Sequence, residues 1–174
     1  MISIVAANTD DHLLVADIGR VSVEASHRNS SSEEIMNEYL ETNYNYDTIR
    51  KELLDRQNIY HIAYYNAQPA GFSKIVFNIP HPAIPDKNVT KLDRIYLLNE
   101  FHGLGIGWEL LNFNIELAKT NAQSGMWLYC WVENQNAIDF YKKTGFEIIG
   151  TYNFHVAQSH YDLSYQMLLN FAQR

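Results

Sequence analysis

The chain contains 174 residues, of which 47% are apolar and 19% are charged. That length fits one domain over residues 1–174, and the composition is typical of a soluble globular protein, which argues against a disordered one. The formal net charge of −7 argues against nonspecific nucleic-acid binding, which needs clustered cations. The charge is compatible with a cationic substrate, and equally with a role in solubility alone.

The cysteine content and the lengths of the apolar runs argue against further classes of protein, namely disulfide-bonded, metal-cluster, secreted and membrane-spanning proteins. The single cysteine, Cys130, can form no intramolecular disulfide and offers no metal cluster, so we expect no metal. The first six residues are too short for a signal-peptide core, and no apolar run approaches the length that spans a bilayer. We therefore expect a cytoplasmic protein without a membrane partner. The oligomeric state stays open, a homodimer included.

The first predicted elements are a strand and three helices. Residues Ile2 to Ala6 are rich in β-branched side chains, which predicts a strand. Capping residues from Asn8 onward then predict a helix to about His27. Further helix-start signals predict helices over 32–44 and from Tyr46 to about residue 57.

The residues from 59 onward predict the remaining strands of a sheet and two more helices. Strands are predicted over 59–65, 71–79, 90–98, 126–132, 146–149 and 161–169, with a turn at 66–69. One helix follows Gly107, and another covers 134–144. This order predicts a mixed α/β fold, in which a central twisted sheet carries helices on both faces.

A glycine-rich loop joins a predicted strand to the helix after Gly107. It contains Gly103, Gly105 and Gly107, and glycines let the backbone turn tightly and approach a ligand closely. The first amides of a helix lack internal partners and lie at its positive end, so the segment favours a phosphate site. A plain tight turn is the alternative. The segment is not a P-loop, because no Lys-Ser/Thr pair follows the last glycine.

Residues 102–107 resemble the acyl-CoA loop of the GNAT acetyltransferases, whose pattern is Gln/Arg-x-x-Gly-x-Gly/Ala. His102 stands where that family usually has Gln or Arg, a departure that leaves the backbone amides intact. The resemblance implies acetyl-CoA as cosubstrate, with the pantetheine arm on the backbone of Leu97 and the pyrophosphate on the amides of 103–108. The implied binding residues of this segment are Ile95, Tyr96, Leu97, His102, Gly103, Leu104, Gly105, Ile106, Gly107 and Trp108.

A second segment, residues 134–146, is similar to the GNAT signature Asn-x-x-Ala-x-x-Phe-Tyr-x-x-x-Gly-Phe nearly residue for residue. On a helix, Ala137 and Tyr141 share a face. The resemblance implies that Asn134 hydrogen-bonds the CoA arm, that Tyr141 protonates the departing thiolate and that Lys143 approaches the nucleotide phosphates. The alternatives are a half-buried Tyr141 with a satisfied hydroxyl and a solvated Lys143.

The implied reaction is direct attack of an amine on the acetyl thioester, which needs a proton acceptor and an oxyanion donor such as a backbone N–H near Leu97. Asp93 is the first candidate for the base, because strand alternation predicts that it shares a face with Ile95 and Leu97. An ion pair with a neighbouring Arg or Lys is the alternative for Asp93. Glu133 and His155 are secondary candidates.

The stretch 94–96, the block 134–146 and the helical region 32–53 resemble the bacterial spermidine/spermine acetyltransferases of the PaiA type, which often carry an acidic residue in the fourth strand. With the net charge, this implies a small amine such as a polyamine as acceptor. Tyr39, Tyr44 and Tyr46 either line an amine site or pack in the core. The other hypotheses are a protein N-terminus, a protein lysine or a drug-like amine as acceptor, or a noncatalytic acyl-CoA sensor.

Overall fold

Seven strands and five α-helices make up most of residues 1–173, the part of the chain that this computed structural model describes. The strands are β1 (Ile2–Ala6), β2 (Ile59–Tyr65), β3 (Gln68–Val76), β4 (Val89–Leu97), β5 (Gly125–Trp131), β6 (Glu147–Ala157) and β7 (His160–Asn170). The helices are α1 (His12–Ser26), α2 (Glu33–Asn43), α3 (Tyr46–Leu54), α4 (Ile106–Thr120) and α5 (Gln135–Lys143). None of the helices in these residues is long and apolar enough to cross a membrane.

The strands form one mixed sheet in the order β1-β2-β3-β4-β5-β7-β6. Only the central pair, β4 and β5, is parallel, and every other neighbouring pair is antiparallel. The parallel pair needs a crossover connection, and α4 supplies it. The predicted mixed α/β fold is confirmed.

Helices cover both faces of the sheet and bury separate apolar clusters. On one side, here called the α4 face, Leu111 and Ile115 of α4 pack with Ile138 of α5 against the sheet. On the other side, the α1 face, residues of α1, α2 and α3 enclose Tyr44, which is fully buried. These two layers hold the central strands rigidly between them.

Several boundaries differ from the predictions. Strand β3 covers Gln68–Val76 rather than 71–79. Strand β6 extends to Ala157 rather than ending near residue 149, because it pairs along its whole length with β7, although much of it is polar and exposed. The turn between β2 and β3 is tighter than 66–69. Asn66 and Ala67 alone form it, with φ of 49° and 65°, the geometry of a two-residue hairpin loop.

Candidate active site

A cleft opens where the two central strands separate. Strands β4 and β5 pair at three positions, Val89 to Lys91 against Gly125 to Trp127, and then diverge. The cleft between them has a volume of about 900 Å³ and is lined from both faces of the sheet. The α4 face contributes the glycine loop and α5, and the α1 face contributes the ends of α1 and β7. A ligand on one face can therefore meet a ligand on the other.

A bulge in β4 marks the start of this divergence. Lys74 lies opposite Arg94 and Ile75 lies opposite Leu92, so Asp93 is the additional residue on β4. A bulge of this kind bends its strand and increases the local twist. The separation of β4 from β5 follows directly after it.

Beyond the bulge, the edge of β4 presents backbone groups to the cleft. The Leu98 amide donates to the Ala70 carbonyl across the sheet at 2.9 Å. Because backbone groups alternate along a strand, the N–H and C=O of Ile95 and Leu97 point away from β3 and into the cleft. An extended ligand arm can add to such an edge as a further strand does.

The start of α4 forms one wall of the cleft. Gly103 and Gly105 have φ of 76° and 80°, and a Cβ built on either would meet no atom within 4 Å. Gly105 caps α4 without any side-chain hydrogen bond. Within residues 1–173, the amides of 106–108 have no partner, whereas the Glu109 amide donates to the Gly105 carbonyl at 3.1 Å. Three free amides at a positive helix end fit a pyrophosphate.

Most of the predicted acetyl-CoA-binding residues line the cleft. They are Ile95, Tyr96, Leu97, His102, Gly103, Gly105, Ile106, Gly107, Trp108, Asn134 and Tyr141. Leu104 and Lys143 do not line it. Leu104 is exposed at the loop tip, and Lys143 is exposed on the last turn of α5, away from that helix's buried face.

Two of the lining side chains make hydrogen bonds within the protein. His102 Nε2 lies 3.2 Å from the Leu97 carbonyl oxygen, so its ring folds over the end of β4. The Asn134 side-chain oxygen accepts from the Ala137 amide at 3.2 Å and so caps α5. The Asn134 amide nitrogen is left to donate to a ligand in the cleft.

Tyr141 lies on the buried face of α5 and reaches the cleft from the α4 face. Its ring packs against Phe140 and Phe146, with centroid distances of 5.3 and 5.5 Å. None of the described residues forms a hydrogen bond with its hydroxyl, and this hydroxyl is accessible from the cleft. Burial is the main cause that holds the pKa of Tyr141 well above 10, so the hydroxyl keeps its proton at neutral pH.

Cys130 of β5 lines the cleft beside Tyr141 and belongs to the same apolar cluster. Burial raises the pKa of the Cys130 thiol to about 12. The thiolate is the nucleophilic form of cysteine, and this thiol stays protonated at neutral pH.

The prediction that Asp93 shares a face with Ile95 and Leu97 is wrong. Asp93 forms ion pairs with Lys74 at 3.1 Å and Lys91 at 2.7 Å, on the α1 face, whereas Ile95 and Leu97 pack against α4. The bulge is the physical reason, since an extra residue reverses the alternation of side chains along β4. Asp93 still lines the cleft, from the side opposite to the glycine loop.

The two lysines also change the proton affinity of Asp93. Although burial favours the neutral carboxyl, Lys91 and Lys74 together hold the pKa of Asp93 well below 3.8. A carboxylate stabilised in this way is a poor proton acceptor at neutral pH. The ion-pair alternative for Asp93 is the arrangement observed.

A network of buried charges extends from Asp93 below the α1 face. Lys74 binds Glu52 at 2.8 Å, and Arg94 donates to the same carboxylate at 3.0 and 3.2 Å. The Tyr60 hydroxyl also donates to Glu52, and the Arg94 guanidinium lies 4.7 Å from the centre of the Tyr44 ring. These contacts fix the floor of the cleft on the α1 face.

The secondary base candidates lie outside the cleft. Glu133 does not line it, and His155 points at the Gln158 carbonyl, 2.8 Å from His155 Nε2, on the exposed hairpin of β6 and β7. Of the three tyrosines considered as an amine site, Tyr39 and Tyr44 line the cleft. Tyr46 is exposed and donates to Asp17.

Two polar residues in the cleft, His27 and Asp162, are not among the site residues that the sequence predicts. His27 directly follows α1, and Asp162 lies near the start of β7. Neither lies in the motifs at 102–107 and 134–146, although Asp162 belongs to a looser C-terminal resemblance to the PaiA-type enzymes. The part of the cleft that they line together with Lys91, Asp93 and Arg94 is here called the α1-face end. Its two carboxylates and its two strong bases carry equal and opposite charges.

Comparison with known proteins places these features in a family. Residues 24–146 match the Acetyltransferase (GNAT) family. An uncharacterized N-acetyltransferase of Lactobacillus delbrueckii subsp. lactis is 29% identical over 115 residues, which are 66% of either chain. One of Methanocaldococcus jannaschii is 38% identical over 82 residues, 47% of this chain and 36% of that protein. The match therefore spans less than two thirds of the length of these curated relatives.

Solved structures share the fold at low sequence identity. The PaiA N-acetyltransferase from Thermoplasma acidophilum, solved with coenzyme A, has a TM-score of 0.79 and 19% identity, covering 98% of this chain and 99% of that one. The ribosomal-protein-S18-alanine N-acetyltransferase from Escherichia coli has a TM-score of 0.71 and 16% identity, covering 98% and 94%. The family match includes the whole glycine loop and the whole of α5. The chain therefore belongs to the GNAT acetyltransferase family.

Proposed function

We propose that the protein is an acetyl-CoA-dependent N-acetyltransferase that acetylates a primary amine by direct attack. The observation that carries the proposal is one cleft that joins three free amides at the start of α4 to the partnerless hydroxyl of Tyr141. Membership of the GNAT family supports the acetyl donor. A noncatalytic acyl-CoA sensor would have no use for a proton donor at Tyr141.

The α4-face side of the cleft suits the acetyl donor. The free amides of 106–108 would hold the pyrophosphate, and the open space beside Gly103 and Gly105 lets its oxygens approach the backbone. The backbone edge at Ile95 and Leu97 would pair with the pantetheine amides. Acetyl-CoA supplies the acetyl thioester at the level where β4 and β5 separate.

The residues at that level then assist the acyl transfer. A backbone N–H of the β4 edge would stabilise the oxyanion that forms on the thioester carbonyl. Tyr141 would donate its proton to the departing thiolate, because its hydroxyl is protonated and has no partner among residues 1–173. Cys130 stays a thiol, so we propose no acyl-cysteine intermediate.

We propose a polyamine such as spermidine or spermine as the first acceptor to test. The net charge of −7 attracts polycations, and Tyr39 and Tyr96 add aromatic surface to the α1-face end. The balanced charges of that end favour a second candidate, a peptide N-terminus, which carries one cation rather than several. Both candidates are primary amines and use the same chemistry.

A thiol-release assay with acetyl-CoA and an amine panel tests the proposal. The panel contains spermidine, spermine, a short peptide with a free N-terminus and the same peptide with that terminus blocked. We expect coenzyme A release that depends on at least one free amine, with the acetylated amine identified by mass spectrometry. Binding of acetyl-CoA without release for any amine would contradict the proposal and favour a sensor.

A further inference from the structure

We propose that the imidazole of His27 accepts the proton of the attacking amine, an inference that rests on the proposed acetyl transfer. His27 directly follows α1 and lies outside the two motifs at 102–107 and 134–146.

His27 reaches the cleft from the α1 face. Its amide donates to the Val23 carbonyl at 3.0 Å and ends α1, which fixes the position of the residue. Its ring stacks on Trp131 at the end of β5, with 5.4 Å between ring centres and 28° between planes. Trp131 follows Cys130, the neighbour of Tyr141 in the α4-face cluster. His27 and Tyr141 therefore line one cleft from opposite faces of the sheet.

This opposition matches the two proton transfers that the reaction needs. The amine nitrogen and the leaving sulfur are separate substituents of the tetrahedral intermediate, so one group can accept the proton of the nitrogen while another protonates the sulfur. With Tyr141 and the acetyl donor on the side of the glycine loop, an amine that enters from the α1 face needs a proton acceptor there. His27 lines that side of the cleft.

The ring nitrogens of His27 are free to take a proton. Across residues 1–173, neither nitrogen has a hydrogen-bond partner. Burial lowers the pKa of His27 below 6.5, and the Asp162 carboxylate opposes that effect. The imidazole is thus neutral at neutral pH, and the nearby carboxylate stabilises the imidazolium that forms. Asp162 on β7, itself bonded to His160 at 3.0 Å, is the charged group that influences His27.

The charged groups at this end of the cleft are engaged in ion pairs or hydrogen bonds. Asp93 is held by Lys74 and Lys91, and Arg94 is bonded to Glu52. The Asp162 carboxylate accepts a hydrogen bond from His160 Nε2 at 3.0 Å. Among the lining groups that residues 1–173 supply on the α1 face, His27 alone combines a neutral basic nitrogen with an open position.

The proposed step balances in atoms and charge. The amine nitrogen bonds to the acetyl carbon, the carbon–sulfur bond breaks, and the electron pair leaves on sulfur. The proton lost by nitrogen passes to His27, directly or through one water, and Tyr141 gives its proton to sulfur. Exchange with solvent then restores both side chains. The net products are the acetylated amine and the free thiol of coenzyme A.

The main test is the pH dependence of kcat at saturating amine for wild type and His27→Gln, from about pH 5 to pH 9, where histidine titrates. We expect kcat to fall by about 10²-fold or more in the variant, as is typical for loss of a general base. In wild type, kcat should fall at acidic pH as His27 becomes protonated, and this acidic limb of the pH profile should vanish in the variant. Affinity for acetyl-CoA, measured by calorimetry, should stay unchanged, because His27 lies on the other face. His155→Gln on the exposed hairpin is the matched control and should behave as wild type.

A second arm does not depend on turnover. NMR titration of the ligand-free protein should give a pKa for His27 below 6.5. Asp162→Asn should lower that pKa further, and it should shift the acidic limb of kcat to lower pH in the same direction. This variant keeps His27 in place and decides the question even if His27→Gln does not fold.

The outcomes separate this inference from the proposed function. If wild type acetylates an amine but His27→Gln keeps kcat and the acidic limb, another group accepts the proton and the inference fails while the function stands. An unshifted acidic limb in Asp162→Asn, despite an altered His27 pKa, has the same meaning. If wild type acetylates no amine, the proposed function fails and this inference fails with it.

Discussion

Tyr141 illustrates how burial suits a single side chain to proton donation. Its ring is packed among aromatic neighbours on α5, yet its hydroxyl has no partner in residues 1–173 and reaches the cleft. An unpartnered buried hydroxyl is costly, and a ligand that accepts its hydrogen bond removes that cost. A developing thiolate is such an acceptor.

Replacing Tyr141 with Phe tests the role of this hydroxyl. We expect kcat to fall by about 10²–10⁴-fold, while KM for acetyl-CoA changes little, because the hydroxyl acts mainly in the transition state. The measurement is steady-state kinetics at saturating amine, and an unchanged melting temperature is the control, since Phe keeps the ring. A kcat within about twofold of wild type would reject the role of general acid for Tyr141.

Cys130 lies in the same part of the cleft but should not take part in the chemistry. Because burial raises its pKa to about 12, we expect Cys130→Ala to retain most of its kcat. The small cavity left in the core should lower stability by about 1 kcal/mol or more. Both quantities are measurable, by the thiol-release assay and by thermal unfolding. Loss of turnover in a folded variant would indicate an acyl-cysteine intermediate.

Asp93 is expected to contribute to stability through its ion pairs. Its pKa in the folded protein lies below 3.8, so this contribution is present above that value and is lost as the pH falls through the folded pKa. Asp93→Asn leaves Lys74 and Lys91 without a counterion. We expect a loss of stability smaller than the ~3–5 kcal/mol seen for fully buried pairs, because the Asp93 side chain is partly exposed.

Urea unfolding at neutral pH and at about pH 3 measures this effect, because the Asp93 carboxyl of the unfolded chain protonates between those conditions, whereas the lowered pKa keeps the folded carboxyl more ionised. The variant should lose stability at neutral pH and show a shallower decline toward acid than wild type. Asp86→Asn, an exposed acid in the proline-rich loop, is the control. Asp93 rather than His27 would be the base if Asp93→Asn kept full stability, lost its activity and no longer showed the acidic limb in the pH profile of kcat.

At the scale of elements, two features of β4 and α4 shape the cleft. The bulge at Asp93 turns β4 away from β5 and exposes its backbone edge. The left-handed conformation of Gly105 ends the loop and starts α4 with free amides. Both features depend on backbone geometry rather than on side-chain chemistry, so we expect the amide site to tolerate His102 in place of the usual Gln or Arg of the loop.

Gly105→Val tests the amide site at the start of α4. At a φ of 80°, any side chain costs about 1–2 kcal/mol in backbone strain, and a β-branched one also fills the open space that the pyrophosphate needs. We expect affinity for coenzyme A to fall strongly in calorimetry. Gly145→Val, at a φ of 98° after α5, is the matched control, with similar strain outside the cleft. Unchanged affinity in a folded Gly105→Val protein would move the site elsewhere.

At the scale of the whole molecule, charge affects the encounter with the acceptor. The net charge of −7 should attract a polycation over distances that salt screens, with a Debye length of about 8 Å at physiological ionic strength. If spermidine is an acceptor, its kcat/KM should fall as salt is raised, more steeply than that of a peptide with one amine. Equal salt dependence for the two amines would show that long-range attraction does not favour polyamines.

The sequence determined the features of this protein that depend on neighbouring residues. The order of helices and strands, the mixed α/β class and the family follow from local periodicity, from caps and from the two motifs at 102–107 and 134–146. The start of α4 and the buried face of α5 could be predicted because each is formed by residues adjacent in the chain. The GNAT assignment, made from those motifs, is confirmed.

The tertiary structure alone decided which side chains meet. Strict alternation predicted the wrong face for Asp93, because a bulge depends on how β4 pairs with β3 and leaves no local signal. The exposed length of β6 depends on its pairing with β7. His27, Trp131 and Asp162 come from the ends of α1 and β5 and the start of β7, and no sequence spacing relates them. They lie at one cleft only because β4 and β5 separate in the folded sheet.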